Sequence, residues 1–141
     1  MQLTKKSSYG LIAALELARV SAEGPLPASA IAERYSLPRA FVEKILHQLR
    51  QADLVSSTQG RNGGYCLARN PQQITVRQIL EALDESLDLV GCLGPGMSCE
   101  LIDICPTKSA WARIDQRFKE MLDSLSLGDL TGTEQTREGT P

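Results

Sequence analysis

The chain has 141 residues, of which 42% are hydrophobic and 23% charged, a composition that suits one globular domain with an appended arm. No apolar run is long enough to span a bilayer, and the opening "MQLTKKSSYG" lacks the apolar segment of an export signal, so we expect a cytoplasmic protein. The net charge of −2 is uneven: residues 1–70 carry nine Lys and Arg against five Asp and Glu (+4), and residues 71–141 carry six against twelve (−6). The basic front half indicates that this part faces an acidic polymer.

Three helices are predicted in the first 55 residues. "SSYGLIAALELARVSAEG" has apolar residues near helical spacing and ends at Gly24–Pro25, and "LPASAIAERYS" is a second, shorter helix. In the third, "SLPRAFVEKILHQLRQADLV", we expect Ser36 to be the N-cap and Pro38 to lie in the first turn. The apolar residues of this helix form one stripe that we expect to be buried: Phe41, Val42, Ile45, Leu46 and Leu49.

A β-hairpin follows the third helix. The segment "LVSSTQGRNGGYCLAR" has two short β-prone runs, Leu54–Thr58 and Tyr65–Ala68, on either side of the polar, glycine-rich tip "QGRNGG". Two helices joined by a tight turn and followed by a hairpin with a basic tip are typical of a winged helix-turn-helix. We therefore predict a mainly α fold: a winged helix-turn-helix with a small β-hairpin wing and a long C-terminal dimerisation helix.

Two further helices are predicted after the wing. "ITVRQILEALDES" is amphipathic, with Thr75 as its N-cap, and "TKSAWARIDQRFKEMLDSLSLGD" is a long helix that ends near Gly128. The apolar residues of the long helix are spaced three and four apart in alternation, as in a heptad repeat: Trp111, Ile114, Phe118, Met121 and Leu125. One such stripe needs a partner helix, most simply the same helix of a second subunit, so we expect a homodimer.

The chain then divides into five predicted parts. These are a winged helix-turn-helix domain at residues 1–74, a connecting helix at 75–90, a cysteine-rich loop at 91–106, the dimerisation helix at 107–128 and a disordered tail at 129–141.

The polar face of the third helix and the wing tip are the predicted DNA-binding surface. A recognition helix directs polar side chains at base edges in the major groove, and Glu43 can accept from a cytosine amino group, whereas Arg61 on the wing can contact a minor groove or a phosphate. The candidate residues are Arg39, Glu43, Lys44 and His47 on the helix and Gln59, Arg61 and Asn62 on the wing. The alternatives are a merely solvated helix face and a winged helix that binds protein. With one histidine, no nucleophile–base pair and no phosphate loop, we predict that the chain is not an enzyme.

Three of the four cysteines lie in one glycine-rich segment. Cys92, Cys99 and Cys105 have the spacing C-x6-C-x5-C, which fits zinc poorly because zinc sites usually pair ligands as C-x2-C and close with four. Thiolates in a flexible loop suit an iron–sulfur cluster, and the alternative is a set of free thiols or a reversible disulfide. Cys66, in the second strand of the wing, is interpreted as an inert core residue.

Several segments together resemble the IscR-like family of winged-helix iron–sulfur transcriptional regulators, whose relatives include the nitric-oxide-sensing NsrR and the iron-responsive RirA. These segments are "MQLTKKSSYGLIAALELA", "VEKILHQLRQADLVSS", "GRNGGYCLAR", "ITVRQILEALDES" and "CPTK", and the resemblance runs from Met1 to about Gly128. It implies a homodimeric bacterial transcription factor that binds an operator in double-stranded DNA. It also implies that Cys92, Cys99 and Cys105 ligate a cluster whose state controls DNA affinity.

The fourth cluster ligand departs from the family patterns. The IscR branch has a histidine three residues after the last cysteine, where this chain has Lys108. The NsrR branch uses an aspartate near the start of the first helix of the other subunit, where this chain has Ser8. The RirA-like arrangement, with three thiolates and no evident fourth protein ligand, matches best. We therefore expect a 4Fe–4S cluster rather than 2Fe–2S, its remaining iron held by solvent, a small molecule, Glu100 or Asp103. The alternative function is a thiol- or zinc-containing winged-helix protein that binds a protein or responds to a metabolite.

Overall fold

A computed structural model describes residues 4–89 and 104–131 of the chain. The elements in chain order are α1 (Lys5–Arg19), α2 (Ala28–Tyr35), α3 (Arg39–Gln51), β1 (Val55–Thr58), β2 (Gly64–Leu67), a 3-10 turn (Pro71–Gln73), α4 (Val76–Ala82) and α5 (Lys108–Ser124). The predicted order of helices, hairpin and helices is confirmed. Within the described residues, no helix is long and apolar enough to cross a membrane.

One apolar core joins the first three helices to the wing and to α4. Its fully buried side chains are Leu17, Ile31, Val42, Ile45, Leu46, Leu49, Ile74, Ile79, Leu83 and Leu127. The predicted stripe of α3 is confirmed, because four of its five residues are buried and Phe41 is half-buried against Tyr9, with the two rings edge to face. Gly10 allows α1 to approach α4 closely, since a Cβ at this position would overlap the Leu83 side chain.

The turn between α2 and α3 differs from the prediction. Ser36 does not cap α3; it ends α2 in the left-handed conformation (φ 53°), and its N–H donates to the carbonyls of Ala32 and Glu33. Pro38 occupies the N-cap of α3, and no side chain caps this helix. The physical reason is the short connection, in which Ser36 closes one helix before Pro38, with φ fixed near the helical value, starts the next.

The wing is a two-stranded antiparallel hairpin that also pairs with the chain before α2. Its register runs from Val55 opposite Leu67 to Thr58 opposite Gly64. Leu26 and Tyr65 exchange two backbone hydrogen bonds of 2.8 Å each, which fixes the hairpin to the start of α2. The interpretation of Cys66 as a core residue is wrong, because it is only half-buried and its Sγ lies 3.1 Å from Ser56 Oγ.

The helix after the wing begins where it was predicted to begin. Thr75 and Gln78 form a capping box, in which the Gln78 N–H donates to Thr75 Oγ1 at 3.1 Å and the Thr75 N–H donates to Gln78 Oε1 at 3.0 Å. The helix ends at Ala82, earlier than expected, with Asp84 in the left-handed region (φ 60°) just beyond it.

The long C-terminal helix is confirmed but ends at Ser124 instead of near Gly128. Leu125 is extended, and the chain beside it pairs with the segment before α4: the Val76 N–H donates to the Leu125 carbonyl at 2.9 Å, and the Leu127 N–H to the Ile74 carbonyl at 2.9 Å. Residues 127–131 are helical again. These backbone hydrogen bonds require an extended conformation at Leu125, so the helix ends there. They also place Leu127 in the main core, where it is fully buried.

The apolar residues of α5 lie on one side of the helix, and only part of that side is packed within the chain. Phe118, Leu122 and Leu125 pack against Val76, Leu80 and Leu87 in a second small core. Three large side chains of the predicted heptad stripe remain exposed, Trp111 at 40%, Ile114 at 49% and Met121 at 50%. We call Trp111, Ile114 and Met121 the exposed stripe.

Candidate nucleic-acid interface and cysteine segment

The four candidate residues of α3 all lie on its exposed face. Arg39, Glu43, Lys44 and His47 alternate with the buried stripe and extend away from the core. Arg39 Nε lies 3.2 Å from Glu43 Oε1, one helical turn away, and both side chains are largely exposed. An exposed pair of this kind contributes little stability, so an acceptor on DNA can replace the carboxylate as the partner of Arg39.

The wing tip presents the other three candidates. Gln59, Arg61 and Asn62 are exposed around Gly60, whose φ of 110° is a conformation that glycine adopts without strain. Arg50, at the end of α3, donates from Nη1 to Ser57 Oγ of β1 at 2.9 Å. This contact links the wing to α3, and it was missed because an arginine on a solvated helix face carries no signal for a particular partner.

A buried carboxylate joins α1 to α2. Glu16 is only 3% exposed; its Oε1 lies 3.1 Å from Arg34 Nη1, and its Oε2 accepts from the Tyr35 hydroxyl. Arg19 lies 3.9 Å away on the same helix. Burial and the Glu16 hydrogen bond raise the pKa of Tyr35, so its hydroxyl remains a donor. The sequence pattern gave Glu16 no role, although a glutamate between apolar residues in "ALELAR" was a usable signal.

Cys105 is the one predicted cluster ligand within the described residues. It precedes α5 and is half-buried, with its Sγ 3.2 Å from Thr107 Oγ1. The Thr107 hydrogen bond, with the nearby Lys108, lowers the pKa of this thiol, which favours the thiolate that binds metals. The predicted ligands Cys92 and Cys99, and the candidates Glu100 and Asp103, lie outside the described residues.

The described part of the chain holds no complete metal site. Among residues 4–89 and 104–131, no group of three His, Cys, Asp or Glu side chains is placed to hold a metal ion. Lys108, at the position where the IscR branch has a histidine, is the exposed first residue of α5. The donor chemistry of Cys105 fits a metal–sulfur group, and the remaining ligands stay a prediction.

The comparisons with known proteins agree with this geometry. The Rrf2 family, described as iron-dependent transcriptional regulators, matches residues 3–133. The chain is 35% identical to the HTH-type transcriptional regulator IscR of Klebsiella pneumoniae (strain 342) over 135 residues, which cover 96% of this chain and 82% of that protein. It has the same identity to IscR of Escherichia coli O1:K1, of which it covers 83%.

Solved structures give the same result. IscR of T. potens is similar with a TM-score of 0.79 and 33% identity, and the match covers 100% of this chain and 93% of that one. CymR of B. subtilis, described as its global cysteine regulator, is similar with a TM-score of 0.81 and 34% identity over 94% of this chain and 98% of that one. These relatives are regulators and not enzymes, in agreement with the prediction. The chain belongs to the Rrf2 family of winged-helix, DNA-binding transcriptional regulators.

Proposed function

We propose that the chain is a homodimeric regulator whose affinity for operator DNA is controlled by an iron–sulfur cluster bound to Cys92, Cys99 and Cys105. The observation that carries the proposal is the Cys105 thiol, whose pKa Thr107 lowers, at the junction between the cysteine segment and α5. The iron-dependent description of the family supports the same assignment. The proposal places the protein in the bacterial cytoplasm, where its operator lies.

DNA is bound by the exposed face of α3 and the wing. In this arrangement α3 enters the major groove, with Arg39, Lys44 and His47 as donors and Glu43 as the acceptor that selects a cytosine. Arg61 at the wing tip contacts the minor groove or a phosphate. The hydrogen bond from Arg50 to Ser57 supports this mode, because it links the two contacting elements.

The second subunit packs on α5. The exposed stripe is the argument for this, since three large apolar side chains at 40–50% exposure on one helix face are stabilised by removal from water. Phe118 and Leu125, the other two heptad positions, are already partly buried within the subunit. A C2 dimer of this kind presents two recognition helices to two half-sites.

The cluster ligands come from one segment of each chain. When bound, an iron–sulfur cluster supplies an iron- and redox-responsive group that joins the three thiolates. Within the described residues, Thr107 and Lys108 favour the thiolate of Cys105, and this residue lies shortly before α5. We favour 4Fe–4S over 2Fe–2S, because Lys108 replaces the histidine of the IscR branch and a protonated lysine does not ligate iron.

A cluster-free thiol regulator is the rival function. CymR, similar to this chain at 34% identity, is described as a cysteine regulator, and a thiol with a lowered pKa also suits reversible oxidation. A zinc-containing winged-helix protein that binds another protein is a further alternative.

Anaerobic purification followed by iron, sulfide and zinc analysis tests the proposal. We expect iron and acid-labile sulfide in a coloured protein, and we expect Cys105→Ser to lose both, whereas the matched Cys66→Ser variant retains them. Zinc without sulfide, or a colourless metal-free protein whose regulation depends on the thiols, would favour one of the rivals.

A further inference from the structure

A buried aspartate on α5 contacts the chain just before the cysteine segment. Asp115 is 8% exposed, and its two carboxylate oxygens have different partners. Oδ1 accepts from the Leu89 backbone N–H at 3.1 Å, and Oδ2 lies 2.9 Å from Lys119 Nζ, one turn further along α5. Leu89 is the last described residue before the segment that contains Cys92.

Lys119 completes the contact. Its Nζ lies 2.8 Å from Asp88 Oδ1, so α5 holds both the side chain of Asp88 and the backbone of Leu89. Burial alone would raise the pKa of Asp115, but the hydrogen bonds from Lys119 and Leu89 outweigh it and lower this pKa. Asp88 and Asp115 together raise the pKa of Lys119. Asp115 and Lys119 are therefore both charged at neutral pH.

The same stretch of chain is attached to the winged domain at its other end. The Thr4 hydroxyl donates to the Glu85 carboxylate. Thr4 is also the N-cap of α1, and its Oγ1 accepts from the Ser7 N–H at 3.4 Å. Between these attachments Leu87 is buried against α5. Residues 85–89, which we call the tether, thus join α1 to α5 immediately before the cysteine segment.

The burial of Asp115 requires an explanation beyond stability. Buried ion pairs often add no more stability than apolar residues of the same size, because desolvation offsets their attraction. An apolar residue at this position would, however, leave the Leu89 N–H without the acceptor that Asp115 provides. What the carboxylate supplies is therefore a fixed position for the backbone of the tether.

We propose that Asp115 is a positioning residue, which fixes the entry of the chain into the cysteine segment and so couples that segment to α5 and to the winged domain. Asp115 is not a cluster ligand in this account. The coupling part of the proposal rests on the proposed function, whereas the positioning part is independent of it.

Amide hydrogen exchange at Leu89 in the cluster-free protein tests the positioning part. Asp115→Ala removes the acceptor, and we expect exchange at Leu89 to accelerate about tenfold, as loss of one hydrogen bond of ordinary strength predicts. Asp115→Asn keeps an acceptor oxygen, so its acceleration should be smaller. The control is Glu120→Gln, which removes an exposed charge from the same helix and should leave Leu89 unchanged. Unchanged exchange in Asp115→Ala would overturn the proposal.

Operator affinity, measured with and without the cluster, tests the coupling part. We expect Asp115→Ala to retain iron and sulfide. Its operator affinities with and without the cluster should differ less than those of the wild type, and Asp115→Asn should show an intermediate difference. If the ratio of operator affinity with the cluster to operator affinity without it were the same in Asp115→Ala as in the wild type, the coupling would be refuted. Equal affinities in the wild type would refute the proposed function, and the exchange experiment would then still decide the positioning. Should Asp115→Ala fail to fold, Asp115→Asn and Asp88→Asn provide both comparisons.

Discussion

Glu16 shows how a single buried charge can define the angle between two helices. It accepts from two consecutive residues at the end of α2, Arg34 and Tyr35, while it is anchored in the middle of α1. Because α2 packs against α3, the position of the proposed DNA-binding face depends on this carboxylate. An apolar residue could fill the same space, but it could not orient Tyr35.

We expect Glu16→Ala to lower the free energy of unfolding by about 2 kcal/mol, because it removes hydrogen bonds to a charged, buried acceptor and leaves the Tyr35 hydroxyl without one. Urea denaturation measures the change. Glu33→Ala, an exposed glutamate on α2, is the control and should change stability by less than about 0.5 kcal/mol. If Glu16→Ala lowered the free energy of unfolding no more than Glu33→Ala does, the Glu16 contacts would not be stabilising.

The stability contributed by Asp115 depends on pH in a direction that its pKa fixes. Because the pKa is lower in the folded than in the unfolded state, the ionised form stabilises the fold above the ordinary value of 3.8. This contribution is lost as the pH falls through the folded value below 3.8. We expect wild type to be more stable than Asp115→Asn at neutral pH, with a difference that shrinks in acid; a difference that grows in acid would contradict the assignment.

Arg61 is exposed on the wing tip, which we propose contacts a phosphate or the minor groove. We expect Arg61→Ala to weaken binding to all duplexes and to reduce the slope of log K against log salt by about one. Fluorescence anisotropy over a salt series measures this slope, with Arg113→Ala on α5 as the control. An unchanged slope would remove Arg61 from the DNA contacts.

Among the elements, those with strong periodicity could be predicted and those decided by tertiary contacts could not. The buried stripe of α3, the Thr75 N-cap of α4 and the hairpin all follow local rules, so the sequence was sufficient for them. The end of α5 was misplaced because pairing of residues 125–127 with the chain before α4 overrides helix propensity. The ion-pair cluster of Asp88, Asp115 and Lys119 was missed because its members are up to 31 residues apart.

The exposed stripe of α5 predicts the effect of a charge at its first residue, Trp111. We expect Trp111→Asp to give monomers in analytical ultracentrifugation, because the substitution places a carboxylate in the proposed apolar subunit contact. The control is Ala112→Asp, which adds the same charge at the next, exposed position of α5. A dimer that persists in Trp111→Asp would show that subunits associate through another surface.

In the whole molecule, the uneven charge of the sequence corresponds to a division of structure. The basic first half forms the winged domain with its exposed α3 and wing, and the acidic second half contains α4, the cysteine segment and α5. The fold class and the family could be predicted because motifs along nearly the whole chain support them. The type of the proposed cluster could not be predicted, since it depends on a fourth ligand, and neither Lys108 nor Ser8 matches the ligand that the IscR or NsrR branch has at that position.

The most direct test compares operator affinity between anaerobically purified protein with its cluster and the same protein after cluster removal. The operators should be selected from random duplexes by each form separately. We expect the two forms to differ by about tenfold or more on at least one operator, the size of an ordinary coupling between two sites. We also expect the difference to disappear in Cys105→Ser. Equal affinities of the two forms on every selected operator would contradict control of DNA binding by the cluster.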